Sequence, residues 1–71
     1  MPYVNIKVTD EGVTREQKKA LIAGVTMVLQ QVLGKNPKTT VVVIDEINLD
    51  NYGMAGLPVP EFREWLKREQ Q

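Results

Sequence analysis

The chain contains no cysteine and no histidine, and these two absences exclude much chemistry. A domain of 71 residues buries only about 60% of the surface its unfolded form exposes, and is usually held together by a disulfide, a metal or a partner. Without Cys there is no disulfide, and without Cys or His the common zinc, copper and iron ligand sets cannot be built. Carboxylates alone can hold a hard cation, but no Asp/Glu spacing here resembles such a loop. No metal and no cofactor are therefore expected, and self-association is the remedy that remains. A surplus of charge is also missing. Nine basic residues balance nine acidic ones, so nothing in the composition attracts nucleic acid or an anionic membrane. Long apolar runs are absent too. None, Val41–Ile44 included, approaches the roughly 20 residues that span a bilayer. With no signal segment recognisable, a cytoplasmic location is expected.

What is present begins with Met1-Pro2-Tyr3-Val4-Asn5-Ile6-Lys7-Val8. Met1 precedes a small residue, the context in which an initiator methionine is trimmed, and trimming leaves Pro2 with a free secondary amine. Behind it Val4, Ile6 and Val8 alternate with Tyr3, Asn5 and Lys7, the period of a strand with two unlike faces. A strand anchored by its apolar face holds its first atom in place. Two readings of Pro2 stay open at this point, a stiff residue after a start methionine or a positioned general base.

Thr9-Asp10-Glu11-Gly12 is turn-forming, and Thr14-Arg15-Glu16-Gln17 fits a capping box. Leu21, Ile22, Val25, Val28, Leu29, Val32 and Leu33 then recur at steps of three and four, which predicts an amphipathic helix of about five turns. Gly34 is placed to cap it in the left-handed region, and Pro37 prevents its resumption. Thr39–Glu46 is dense in β-branched residues and predicts a second strand, apolar on both faces in its middle. Strand, crossover helix and strand make a βαβ unit with parallel strands. One helix covers one face of such a sheet, so the other face needs a partner subunit. Asn48–Gly56 reads as a loop, Leu57-Pro58-Val59-Pro60 as extended, and Glu61 to about Glu69 as a short last helix with Pro60 at its start. Phe62, Trp65 and Leu66 share one side of that helix, as packing residues.

In this order and spacing, the amino-terminal Met-Pro, the strand Pro2–Val8, the turn Glu11-Gly12, Thr14-Arg15-Glu16-Gln17-Lys18 at a helix start, Val41–Glu46 and Tyr52-Gly53-Met54-Ala55-Gly56 resemble the 4-oxalocrotonate tautomerase family. The resemblance covers residues 1 to about 56 and rests on the set, since no single motif is specific. It implies a βαβ protomer of α/β (α+β) class, one domain over residues 1–71, assembled as a homo-oligomer, commonly a trimer of dimers. It also implies a catalytic Pro2 that moves protons between carbon and oxygen of enols and ketones. A terminal amine titrates near ~8 and falls toward neutrality in an apolar site, where it suits a general base.

The sequence departs from the family at two places. The arginine that follows the Glu-Gly turn in the best-known members is here Val13. The arginine within their second strand has no counterpart among Val41, Val42 and Val43. Those arginines bind substrate carboxylate, so their absence argues against a dicarboxylate. Tyr52 matches the aromatic of the family's site, and Lys7 and Arg63 are candidates to supply positive charge. The expectation is a cofactor-free tautomerase, an isomerase, acting through Pro2 on a small enolisable carbonyl compound with one carboxylate or none. The alternatives are hydratase, dehalogenase or decarboxylase chemistry of the same superfamily, or a non-catalytic oligomeric module that has lost the site.

Overall fold

Alternation in the first strand and three-four spacing in the helix translate directly into elements. The computed structural model describes residues 1–69. Its elements are β1 (Tyr3–Thr9), α1 (Arg15–Leu33), β2 (Val41–Ile47), the two-residue strands β3 (Gly53–Met54) and β4 (Leu57–Pro58), and α2 (Val59–Glu69). One-turn 3₁₀ segments stand at Pro37–Thr39 and Leu49–Asn51. β1 and β2 pair in parallel with Tyr3 opposite Val41, Asn5 opposite Val43 and Lys7 opposite Asp45. This is the expected βαβ unit, an α+β arrangement with one long helix and a short C-terminal one.

Local chemistry sets the ends of α1. The Thr14 hydroxyl accepts from the Gln17 amide at 3.1 Å while the Gln17 side chain accepts from the Thr14 amide at 2.9 Å, satisfying two of the free donors of the first turn. At the other end Gly34 adopts φ 65° and ψ 25°, a left-handed cap that a residue with a Cβ adopts only at a cost. Pro37 does more than stop the helix. It opens a 3₁₀ turn capped by the Asn36 side chain, which accepts from the Lys38 amide at 3.0 Å. The amides of Thr39 and Thr40 are spent in that turn, which is why β2 starts at Val41 and not at Thr39.

Residues paired in register point to the same face of a parallel sheet. Val4, Ile6 and Val8 thus share a face with Val42, Ile44 and Glu46. The ion pair of Glu46 with Lys18 of α1, at 2.9 Å, marks this face as the one beneath the helix. Val25 and Leu29 of α1, like the three apolar residues of β1, are only half-buried. The opposite face carries Tyr3, Asn5, Lys7, Val41, Val43 and Asp45, with no element of the described residues packed over it.

The expected loop at Asn48–Gly56 holds a feature that sequence reading misses. β3 and β4 form a small antiparallel hairpin, Gly53 opposite Pro58 and Met54 opposite Leu57. Ala55 (φ 53°) and Gly56 (φ 78°) make its turn, with positive φ at both central positions as two-residue hairpins prefer. The Val59 amide donates to the Tyr52 carbonyl at 2.9 Å and closes the hairpin's base. From there α2 begins at Val59, two residues before the expected Glu61, and packs on β3, β4 and the Leu49–Asn51 turn. Phe62 and Trp65 stack on one side of it, centroids 5.8 Å apart.

The chain alone does not enclose a core. Val59, 4% exposed, is the only buried hydrophobic residue among those described. Val28, Val32 and Leu33 of α1 lie open to solvent, Val32 at 73%. The radius of gyration is 16.4 Å, where a compact chain of this length has about 11 Å. Accessible surface is 5567 Å², against about 4,450 Å² for a compact monomer of this mass.

Candidate active site

Pro2 stands at the entry of β1, where its carbonyl accepts the Val41 amide at 3.0 Å. That bond joins the residue before β1 to the first residue of β2 and fixes the chain terminus against β2. The chain neighbour Tyr3 is 65% exposed and the hydrogen-bond partner Val41 40% exposed, so this end of the sheet is open in the single chain.

Tyr52 lies at the other end of the sheet. It follows the last residue of β2 and the Leu49–Asn51 turn, whereas Pro2 precedes β1. Because the strands are parallel, the seven residues of β1 separate the two ends by roughly 20 Å. Arg63 of α2 stands at the same end of the sheet as Tyr52. Its guanidinium pairs with Glu11 at 2.6 Å, just past the end of β1, and Glu11 also accepts from the Thr9 hydroxyl. The long axis of the molecule is 49 Å, well beyond the ~28 Å of α1. The C-terminal segment therefore extends the chain and does not double back over Pro2. Within one chain Pro2 and the pair Tyr52–Arg63 are kept apart.

The two candidate cations are both engaged. Lys7 donates to Asp45 at 3.0 Å, on the same carboxylate oxygen that accepts from the Asn5 amide at 2.9 Å. The hydrogen bond from Asn5, then that from Lys7, hold the Asp45 carboxyl below its ordinary range. The Arg63 bond, and after it the Thr9 hydroxyl, lower Glu11 from 4.5 to about 2. Glu11 in return raises Arg63 above its ordinary value. Each cation thus faces its own carboxylate, and neither offers a whole uncompensated charge to an anion. Arg63 uses part of a five-donor fork, so it keeps directions in which to donate.

One apolar groove was not anticipated from sequence. Val13, Gln17, Ala20, Leu21 and Gly24 enclose about 550 Å³ beside the first half of α1. The signal for it was there in Ala20 and Gly24, small residues one turn apart on an otherwise bulky side. Val13, which stands where the resemblance leads one to expect an arginine, lines this groove. A second concavity of about 450 Å³ is bounded by Leu57, Pro60, Glu61, Glu64 and Arg68. Neither includes Pro2, Tyr52, Lys7 or Arg63. Among the described residues no group of three or more carboxylates is placed to hold a metal ion, and no helix is long and apolar enough to cross a membrane.

Comparison with known proteins bears on this arrangement. The family model for tautomerase enzymes matches residues 2–61, beginning at Pro2 and ending inside α2. A protein of Dickeya dadantii described as probable tautomerase K2 is 61% identical over 64 residues, covering 90% of this chain and 96% of its own. The 2-hydroxymuconate tautomerase of Bacillus subtilis is 41% identical over 56 residues, covering 79% of this chain and 89% of its own. Among solved structures, DmpI from Helicobacter pylori superposes with a TM-score of 0.82 at 45% identity, covering 89% of this chain and 97% of that one. With a family model across most of its length and relatives of this identity spanning nearly the whole of both chains, the protein belongs to the tautomerase family of isomerases.

Proposed function

We propose that the protein is a cytoplasmic, cofactor-independent homo-oligomeric tautomerase whose site combines the Pro2 amine of one copy with Tyr52 and Arg63 of another. The observation that carries this reading is the separation of Pro2 from Tyr52 and Arg63 by the length of the parallel sheet. Two ends of one chain cannot meet, but the ends of two chains can. The thin core and the surface excess of about 1,100 Å² over a compact monomer support assembly, since a stable interface takes about 800 Å² from each partner. A trimer of dimers satisfies these demands and is the assembly we propose.

Once Met1 is removed, Pro2 carries a secondary amine. In ketonisation of an enol this amine takes the proton of the enol hydroxyl, the electrons of that O–H bond form the carbonyl, and the C=C pair accepts a proton at carbon from the prolyl ammonium. Proton and electrons balance with no outside reactant. The Tyr52 hydroxyl can donate to the substrate oxygen, and the free donors of Arg63 can position a single carboxylate. Lys7, turned to Asp45, is not needed. The substrate class is a small enolisable carbonyl compound with one carboxylate or none.

Ketonisation of phenylenolpyruvate tests the role of the amine. The form lacking Met1 should accelerate it, and Pro2→Ala, which keeps an amine but changes its basicity and place, should lower the rate at least about tenfold with the helical circular dichroism unchanged. Equal rates in chains with and without Met1 would refute the role of Pro2, because in the longer chain its nitrogen is a non-basic amide.

A further inference from the structure

Arg63 reaches from α2 to the turn that follows β1. Its Nη1 meets one oxygen of Glu11 at 2.6 Å, and the Thr9 hydroxyl donates to the other. Both Glu11 oxygens are therefore engaged. The turn that carries them is pinned as well, because the Asp10 amide donates to the carbonyl of Ile47, the last residue of β2, at 2.8 Å. A carboxylate held from two sides on a pinned turn is a fixed group and not a counter-ion free to leave. Its carboxyl is lowered to about 2, so the charge is present throughout neutral pH. Arg63 keeps donors beyond the one turned to Glu11. An anion arriving there finds hydrogen-bond donors beside a positive charge that is already answered.

We propose that Glu11 is the residue that sets the charge preference of the site, by keeping the Arg63 charge compensated so that a substrate gains little from each carboxylate it carries. The proposal rests on the reading that Arg63 positions substrate, and adds to it what fixes the number of charges accepted. Two carboxylates on one guanidinium repel each other, which offsets much of the attraction that each has for the cation. An uncharged enol meets no such repulsion and still receives a hydrogen bond. A single carboxylate is tolerated, and a second adds repulsion with no further cation to answer it. In this account Glu11 touches no reacting atom and acts through Arg63. A Glu11 that only ties α2 to the end of β1 would affect all ligands alike, whatever their charge.

Calorimetry on the chain lacking Met1 provides the test, with circular dichroism to confirm that each variant folds. The ligands are 2,4-hexadienol, sorbate and muconate, one carbon skeleton bearing no, one and two carboxylates. Glu11→Gln leaves an oxygen for Arg63 and removes the charge. It should keep hexadienol affinity within about twofold, tighten sorbate about fivefold and tighten muconate at least about tenfold. Glu11→Asp shortens the reach but keeps the charge, and should hold all three affinities within about threefold of the wild type. With phenylenolpyruvate as substrate, the effect of Glu11→Gln should fall on KM more than on kcat. Anion affinities unchanged in Glu11→Gln, or changed equally in Glu11→Asp, or a hexadienol affinity that shifts with them, would overturn the proposal. The role of Arg63 would still stand if Arg63→Gln weakened sorbate. Sorbate binding unaffected by Arg63→Gln would overturn both.

Discussion

At the scale of the residue, the decisive facts concern charge. The two positions where the family resemblance calls for arginine hold Val13 and valines of β2, and the cations that could replace them are committed. Lys7 is bound to Asp45 at 3.0 Å and Arg63 to Glu11 at 2.6 Å. A dicarboxylate entering a site built from these residues finds the donors of Arg63 for one charge and little for the second. An uncompensated charge in a confined site costs several kcal/mol, and ~1.4 kcal/mol is a factor of ten. We therefore predict that kcat/KM for 2-hydroxymuconate falls at least about a hundredfold below that for a monocarboxylate enol such as phenylenolpyruvate. Comparing the two substrates on the chain lacking Met1 checks this, and a preference for the dicarboxylate would contradict it. Sequence reading reached the missing arginines and no further. The pairing of Lys7 with Asp45 joins positions 38 apart, and nothing in local spacing announces a contact between two strands whose register is not yet known.

At the scale of the element, β1, α1 and β2 were legible because each is long enough to show its period. The capping box at Thr14–Gln17 and the left-handed Gly34 marked the ends of α1 within a residue. The hairpin was not legible, since strands of two residues have no period to read. Its first turn position is Ala55 at positive φ, a residue type that does not signal a turn. The attachment of α2 was equally hidden, and besides its packing on the hairpin and the Leu49–Asn51 turn it includes the Arg63–Glu11 ion pair. That carboxyl is lowered from 4.5 to about 2 by Arg63 and then Thr9. A depressed folded-state value means that its contribution is complete above about pH 4.5 and disappears as pH falls toward about 2. The tether of α2 is thus expected to hold unchanged through neutral pH. In Glu11→Gln, amide exchange should quicken in α2 while α1 is unaffected, and the difference from the wild type should vanish in strong acid. Faster exchange spread evenly over α1 and α2 would contradict a local tether.

At the scale of the whole molecule, one chain is an incomplete object. Its two-stranded sheet has two open edges and one uncovered face, its long helix has no buried residue, and its candidate site residues stand at opposite ends. Parallel sheets are stable when covered on both faces, and that cover has to come from other copies. In the proposed assembly, the association that supplies the missing core would also bring Pro2 of one copy toward Tyr52 and Arg63 of another, so that folding and catalysis would share one requirement. The position of Pro2 could be read from the sequence, but its distance from Tyr52 could not, because that follows from the parallel register. The most direct test of a shared site is complementation between two damaged chains, both lacking Met1. Pro2→Ala and Tyr52→Ala should each be impaired as pure assemblies. When the two are co-expressed and co-assembled, sites that draw Pro2 from one chain and Tyr52 from the other should recover, to roughly a quarter of the wild-type rate for random mixing. An unimpaired Tyr52→Ala assembly, or a mixed one no more active than the mean of its two parents, would contradict the account.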